Sequence, residues 1–341
     1  MSKSLFVTLL AASTAIGGLV GSAHAEGELN LYSSRHYDTD ERLYSDFEEQ
    51  TGITINRIEG DADELIERLK AEGANSPADI LLTVDAGRIW RAVQADLLSP
   101  VDSDMLEERI PAALQEKDNK WFGFSTRARA IFYDKERVSE PPQTYADLAD
   151  PKYKGMVCAR SSSNIYMQSI LAAQIAHNGE EAATAWAQGL KDNLAREPQG
   201  GDTDQLRGIV SGECDIALAN TYYFARALRT GVDGLSDSTD AIGIVFPDQD
   251  GNGAHINVSA GGVLQNAPNR ENAVKFLEYL ASDSAQNYFA AGNDEYPAVE
   301  GVALSASVNQ LGAFKSDDLN LSALGENQAA AQRVWNSVGY K

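Results

Sequence analysis

Three short runs of this chain place phenols beside other polar groups: Arg35-His36-Tyr37, Asn164-Ile165-Tyr166 and Asn220-Thr221-Tyr222-Tyr223. Four phenols and one imidazole brought together make a hard, anionic, oxygen-rich cage, a ligand set that suits ferric iron better than zinc or copper. A phenol has a reference pKa of about 10, yet a nearby trivalent cation displaces its proton as metals do for other ligands. Four phenolates around Fe3+ leave one net negative charge, so a neighbouring cation should help. Arg127, in Ser125-Thr126-Arg127-Ala128-Arg129, is the first candidate, and Arg226, one turn beyond Tyr222, is the second. If this run is a strand, Arg129 is expected to point the opposite way.

Each assignment competes with a plainer one. Tyrosine is a common half-buried packing residue, and the chain has 13 of them. Adjacent Tyr222 and Tyr223 are harder to explain by packing, because neighbours on a helix or strand face different ways. Both can serve one site only from a loop or a helix start. His177 reads as a cap at the end of an amphipathic helix before Asn178-Gly179, and His255 as structural, in a strand-like run through Val258. The Ser161-Ser162-Ser163 run suits either a helix cap or an anion held at a helix start. Trp90, Trp121, Trp186 and Trp335 read as core or interface aromatics.

The elements that must position these groups alternate strand and helix. Residues 28–32 read as a strand, 38–50 as a helix with Leu43 and Phe47 one turn apart, 53–58 as a strand, and 61–72 as a helix with Leu65, Ile66 and Leu69 on one face. A strand over 80–83 and a helix carrying Ile89 and Val93 follow. Later units repeat the pattern: strands over 156–159 and 215–219, and helices over 165–176, 179–193, 203–211 and 221–230. Such repetition predicts a mainly parallel sheet with helices on both sides. Tyr37, Tyr166 and Tyr222-Tyr223 then fall just after three separate strand ends, where α/β proteins bind ligands. Turn-rich stretches at 247–253 and 199–202 are too short for loose linkers; short crossings between two α/β lobes make a hinge that closes around a ligand.

The front of the chain reads as a leader. Lys3 precedes a mostly apolar run from Leu5 to Val20, and Ala23-His24-Ala25 suits a signal peptidase, placing the cut before Glu26. No other stretch approaches the about 20 apolar residues of a membrane span, and no leader cysteine is present to carry a lipid. A periplasmic location without membrane insertion is expected. Net charge is −22, or −23 once Lys3 leaves with the leader, which makes nucleic acid and anionic membranes poor partners. Cys158 and Cys214 are the only cysteines. In an oxidising compartment such a pair is more often bridged than left as two buried thiols; a bridge would stabilise the fold by roughly 4 kcal/mol in the chain-entropy model.

No Gly-x-Ser-x-Gly elbow, His-Glu-x-x-His zinc motif or Walker-type phosphate loop occurs, so an enzyme is not the expectation. A ferric-tyrosinate oxidoreductase would share the ligand set, and a binding protein for an organic solute or oxyanion would use tyrosines to line a pocket. Peroxide turnover separates the first from an iron carrier; iron-dependent colour separates the second.

The runs 32–37, 78–87, 160–166 and 220–223 resemble those of periplasmic ferric-iron-binding proteins of ABC importers, especially the tyrosine-rich branch well represented in cyanobacteria. The resemblance spans the chain from its first strand to its last helix. It implies a type II solute-binding fold: an α/β protein of two lobes, one over 26–125 and about 249–298, the other over 126–248 and about 299–341, with the ligand in a hinged interlobe cleft. It further implies Tyr37, Tyr166, Tyr222 and Tyr223 as phenolate ligands and His36 as an imidazole ligand. The cargo would be Fe3+, with Fe2+ as the alternative, carried by a monomer to an inner-membrane ABC permease. A tyrosine-poorer branch uses a carboxylate and a bound anion; here Tyr166 fills part of that space.

Overall fold

A computed structural model describes residues 27–35 and 40–341. The leader read over 1–25, together with His36 and Tyr37, lies outside the described residues. From the amino end the chain forms β1 (Gly27–Ser33), α1 (Asp40–Thr51), β2 (Ile53–Glu59), α2 (Ala62–Glu72), β3 (Ile80–Val84), α3 (Ala86–Gln94) and α4 (Asp104–Arg109). Next come β4 (Phe122–Asp134), β5 (Val157–Cys158), α5 (Ile165–Asp192), α6 (Asp202–Ser211), β6 (Ile216–Asn220), α7 (Thr221–Arg229) and β7 (Ile242–Val245). The last part holds β8 (Ile256–Val263), α8 (Arg270–Leu280), α9 (Asp283–Asn293), β9 (Tyr296–Pro297), α10 (Ala306–Asn309), α11 (Ser322–Glu326) and α12 (Gln328–Val338).

Local chemistry accounts for the early units. In α2 the Asp61 side chain accepts from the Asp63 N–H, acids occupy the first turn, Lys70 the last, and Leu65, Ile66 and Leu69 are buried along one face. In α1 the buried residues Leu43, Tyr44 and Phe47 follow the same logic. The helices expected over 165–176 and 179–193 are one run broken at Gly179, whose φ of 81° glycine tolerates at little cost.

The strand order is β2-β1-β3-β8-β4-β6-β5, with β7 and β9 also pairing with β4. The expectation of a mainly parallel sheet needs correction. β1 pairs parallel with β2 and β3, and β5 with β6, but β8 and β4 run antiparallel through the middle. β4 belongs to two halves at once: its residues 122–128 pair with β8, and its residues 129–133 pair with β6. It is therefore a crossing strand between two lobes, and a strand that turns back through a sheet is antiparallel to its neighbours.

Three apolar clusters sit around this frame. One gathers β1–β3, α1–α3, α8 and α9 around Trp121, Phe122 and Phe124. The second packs α5 and α12 against Ile216 and Leu218, and the third lies on the opposite face around Phe132 and Phe224. The Cys158–Cys214 disulfide is present, with Cα atoms 5.9 Å apart, and ties β5 to the segment leading into β6.

Candidate metal centre

Tyr166 is the second residue of α5, and its backbone N–H donates to the Asn164 side chain at 3.0 Å, so the cap fixes where the phenol leaves the helix. Tyr222 and Tyr223 are the second and third residues of α7, which starts directly off β6. The run from strand into helix lets two adjacent phenols share one site. The Tyr166 and Tyr222 hydroxyls stand 3.2 Å apart, and the Tyr222 and Tyr223 rings are 4.2 Å apart between centroids. Both helices present their amino ends here, where backbone N–H groups favour negative charge.

These three tyrosines and Arg226 line a cavity of about 720 Å³. Its other wall comes from Ser34 just after β1, Glu59 at the end of β2, Asp61 at the cap of α2, and Arg88 in α3. Burial, helped by Tyr166 and Asp202 and opposed by a hydrogen bond with Tyr222 and the charge of Arg160, pushes the Tyr223 phenol above its ordinary pKa. Its proton must be displaced by a cation rather than lost to solvent near neutral pH.

Four arginines flank the phenols. The Arg127 guanidinium lies 5.8 Å from the Tyr222 ring, and Arg226 lies 5.4 Å from the Tyr223 ring. Arg127 is buried and pairs with Glu295 and Ser259. Burial favours the neutral acid, but Arg127 and Arg35 hold the Glu295 carboxyl below its ordinary value. Arg226 also lines the cavity beside Tyr223, and among the described residues it is in no ion pair. Arg129 does not turn away as expected. Residues i and i+2 of a strand share a face, and Arg129 lies 5.9 Å from the Tyr166 ring while donating to Asp202 at 2.7 Å and Asn220 at 3.0 Å. Arg160 lies 5.3 Å from the same ring.

His36 and Tyr37 cannot be placed with these groups, being outside the described residues. The residues on either side, Arg35 and Asp40, are joined by an ion pair at 2.9 Å. His177 is bound to Asp317 at 2.7 Å instead of capping its helix. His255 is buried and structural, as read; burial, with the charges of Arg129 and His177, pushes its pKa down to about 3. Of the serine run, Ser162 donates to the Tyr340 carbonyl at 3.0 Å, and Asn164 takes the capping role. Glu59, Asp61 and Arg88 escaped the reading of the sequence as wall residues, and Arg160 escaped it as a neighbour of the Tyr166 ring. Arg88 directly follows the 78–87 run and Arg160 opens the 160–166 run, so position beside a singled-out run was the available signal.

Residues 42–316 match the model of the bacterial extracellular solute-binding proteins. The chain is 47% identical to iron uptake protein A1 of Synechocystis sp., covering 100% of this chain and 99% of the relative. Among solved structures it is similar to a Trichodesmium protein (IdiA, FutA) in complex with iron and citrate, at 50% identity and a TM-score of 0.89, covering 92% of this chain and 100% of that one. It is also similar to the ferric-binding protein of Campylobacter jejuni, at 40% identity and a TM-score of 0.86, covering 92% and 100%. The fold, with its crossing strand β4 and a cavity at the carboxyl ends of β2 and β6, is shared with these solved structures, and this chain belongs to the bacterial extracellular solute-binding proteins.

Proposed function

We propose that this chain captures iron in the cavity between its lobes, holds it with tyrosinates, and delivers it to an ABC permease in the inner membrane. The observation that carries this reading is the meeting of the Tyr166 and Tyr222 hydroxyls at 3.2 Å, beside Tyr223 and opposite a wall from the other half of the molecule. Apolar packing does not call for three phenols in a wet cleft, whereas a trivalent cation does. The ligands are Tyr166, Tyr222 and Tyr223, completed by Tyr37 and His36, with Arg226 and Arg127 offsetting the excess phenolate charge. The cargo is Fe3+, the ion that hard oxygen donors prefer. Relatives support the choice: one is named for iron uptake, and another was solved with iron.

The rest of the proposal follows from the site. The lobes divide near residues 26–125 with 249–298, and 126–248 with 299–341; a leader over 1–25 sends the chain to the periplasm, where it works as a monomeric carrier, not an enzyme. Chelator competition tests the ligand set. Replacing Tyr222 and Tyr223 together by Phe should weaken ferric binding by at least a hundredfold while preserving the fold, and His36→Ala should cost less. An unchanged affinity in the double variant would end the tyrosinate reading; peroxide turnover by the iron-loaded protein would end the carrier reading.

A further inference from the structure

The 78–87 run supplies only Val84 to the cavity wall. At its end stands Asp85, fully buried, with φ 80° and ψ 125°, a backbone conformation that residues with side chains rarely adopt. Its carboxylate accepts from donors on three different parts of the fold. The Gly87 N–H donates at 2.8 Å from the first turn of α3. The Asn257 side chain donates at 2.8 Å from β8. The Ser169 hydroxyl, on α5, lies 2.8 and 3.0 Å from the two carboxylate oxygens. Asn257 is itself fixed, because its carbonyl oxygen accepts from the Ala86 and Val258 N–H groups, each at 2.8 Å.

A helix cap alone requires only the bond from Gly87. The other two donors have no part in capping. Ser169 is also informative by what it does not do: a mid-helix serine usually bonds back to its own helix carbonyl, and this one reaches across to β3's end instead. Tyr166, Ser169, Ala173 and His177 recur at intervals of three, four and four residues, so they share one face of α5. Ala173 on that face packs in the cluster built by β1–β3. The phenol of Tyr166 therefore projects one turn before the point where α5 is pinned.

We propose that Asp85 is a positioning residue for the metal centre: by gripping Ser169 against β3 and β8, it fixes the first turns of α5 and so sets where the Tyr166 phenol stands relative to Tyr222. This rests on the iron reading above for its consequence, but the grip itself does not require metal.

Two measurements on the full chain test it. In the iron-free protein, Ser169→Ala should speed hydrogen exchange at the amides of residues 166–170, and Ser169→Thr, which keeps the hydroxyl, should restore slow exchange. After loading with ferric citrate, Ser169→Ala should lower iron affinity by up to about tenfold, the upper end of what an ordinary buried hydrogen bond contributes, and shift the visible phenolate band. Ile170→Val is the control: it loosens the same helix in the core shared with α12, and should lower the melting temperature without moving the band. Asp85→Asn, which tolerates positive φ, serves if Ser169→Ala does not fold. Unchanged exchange in Ser169→Ala, or an equal band shift in Ile170→Val, would overturn the proposal. A wild type that takes up iron without colour would instead overturn the tyrosinate reading, leaving exchange to decide the grip.

Discussion

A phenol at a buried helix start is pulled two ways. Burial keeps Tyr223 protonated, while the helix amino end, Arg226 and an incoming cation all favour the phenolate. The balance makes Arg226 testable: Arg226→Gln should weaken ferric binding several-fold, and less than loss of any phenol, as chelator competition would show. His255 gives a separate test of burial. Its native pKa, about 3, lies below the ordinary value of 6.5, so between these limits the unfolded chain binds a proton that the native chain does not. Stability should be complete above about pH 6.5 and fall as pH drops, by up to about 1.4 kcal/mol per unit. Urea unfolding of His255→Gln should lack that part of the slope; an identical slope would refute the buried neutral histidine. Tyr222 and Tyr223 stood out in the sequence because adjacent tyrosines at a strand end have no good packing use, whereas Tyr166 stood out only by its place after a strand end and in a run that carries the family resemblance. Arg129 was misread by assigning opposite faces to residues two apart, and Arg88 went unread although it directly follows the 78–87 run, because a single arginine at a helix start carries no chemistry of its own.

Elements with a clear hydrophobic period or a short apolar run announced themselves. The α1 and α2 helices, and the strands β1 and β3 between polar turns, follow hydrophobic periods or short apolar runs. β4 and β8 are buried almost throughout, so no alternation marks them, and with polar side chains such as Arg127, Arg129 and Asn257 inside them they do not read as core strands either. Those two strands carry the antiparallel middle of the sheet, which is why its direction was misjudged. The disulfide joins the elements that lead to both tyrosine groups: Cys158 lies on β5 ahead of Tyr166, and Cys214 just ahead of β6 and Tyr222. Titration of denatured, unreduced protein should find no thiol. Replacing both cysteines by Ala should cost about 2–5 kcal/mol, read by urea unfolding; two titratable thiols would contradict the bridge.

At the scale of the whole molecule, the cavity wall comes from both lobes, with tyrosines on one side and Ser34, Glu59, Asp61 and Arg88 on the other. A cation bound by one wall and approached by the other has greater affinity for the closed form, so iron should shift the hinge equilibrium toward it. Small-angle scattering should show a smaller radius of gyration on ferric loading, and the double Phe variant should not contract. All of this depends on phenolate oxygen reaching Fe3+, and the visible spectrum before and after loading with ferric citrate reads that bond directly. Phenolate donating into a high-valent ion should give a broad charge-transfer band, orange to purple, saturating at one iron per chain and lost in the variant lacking the Tyr222 and Tyr223 hydroxyls; stoichiometric uptake of iron by a protein that stays colourless would contradict the account.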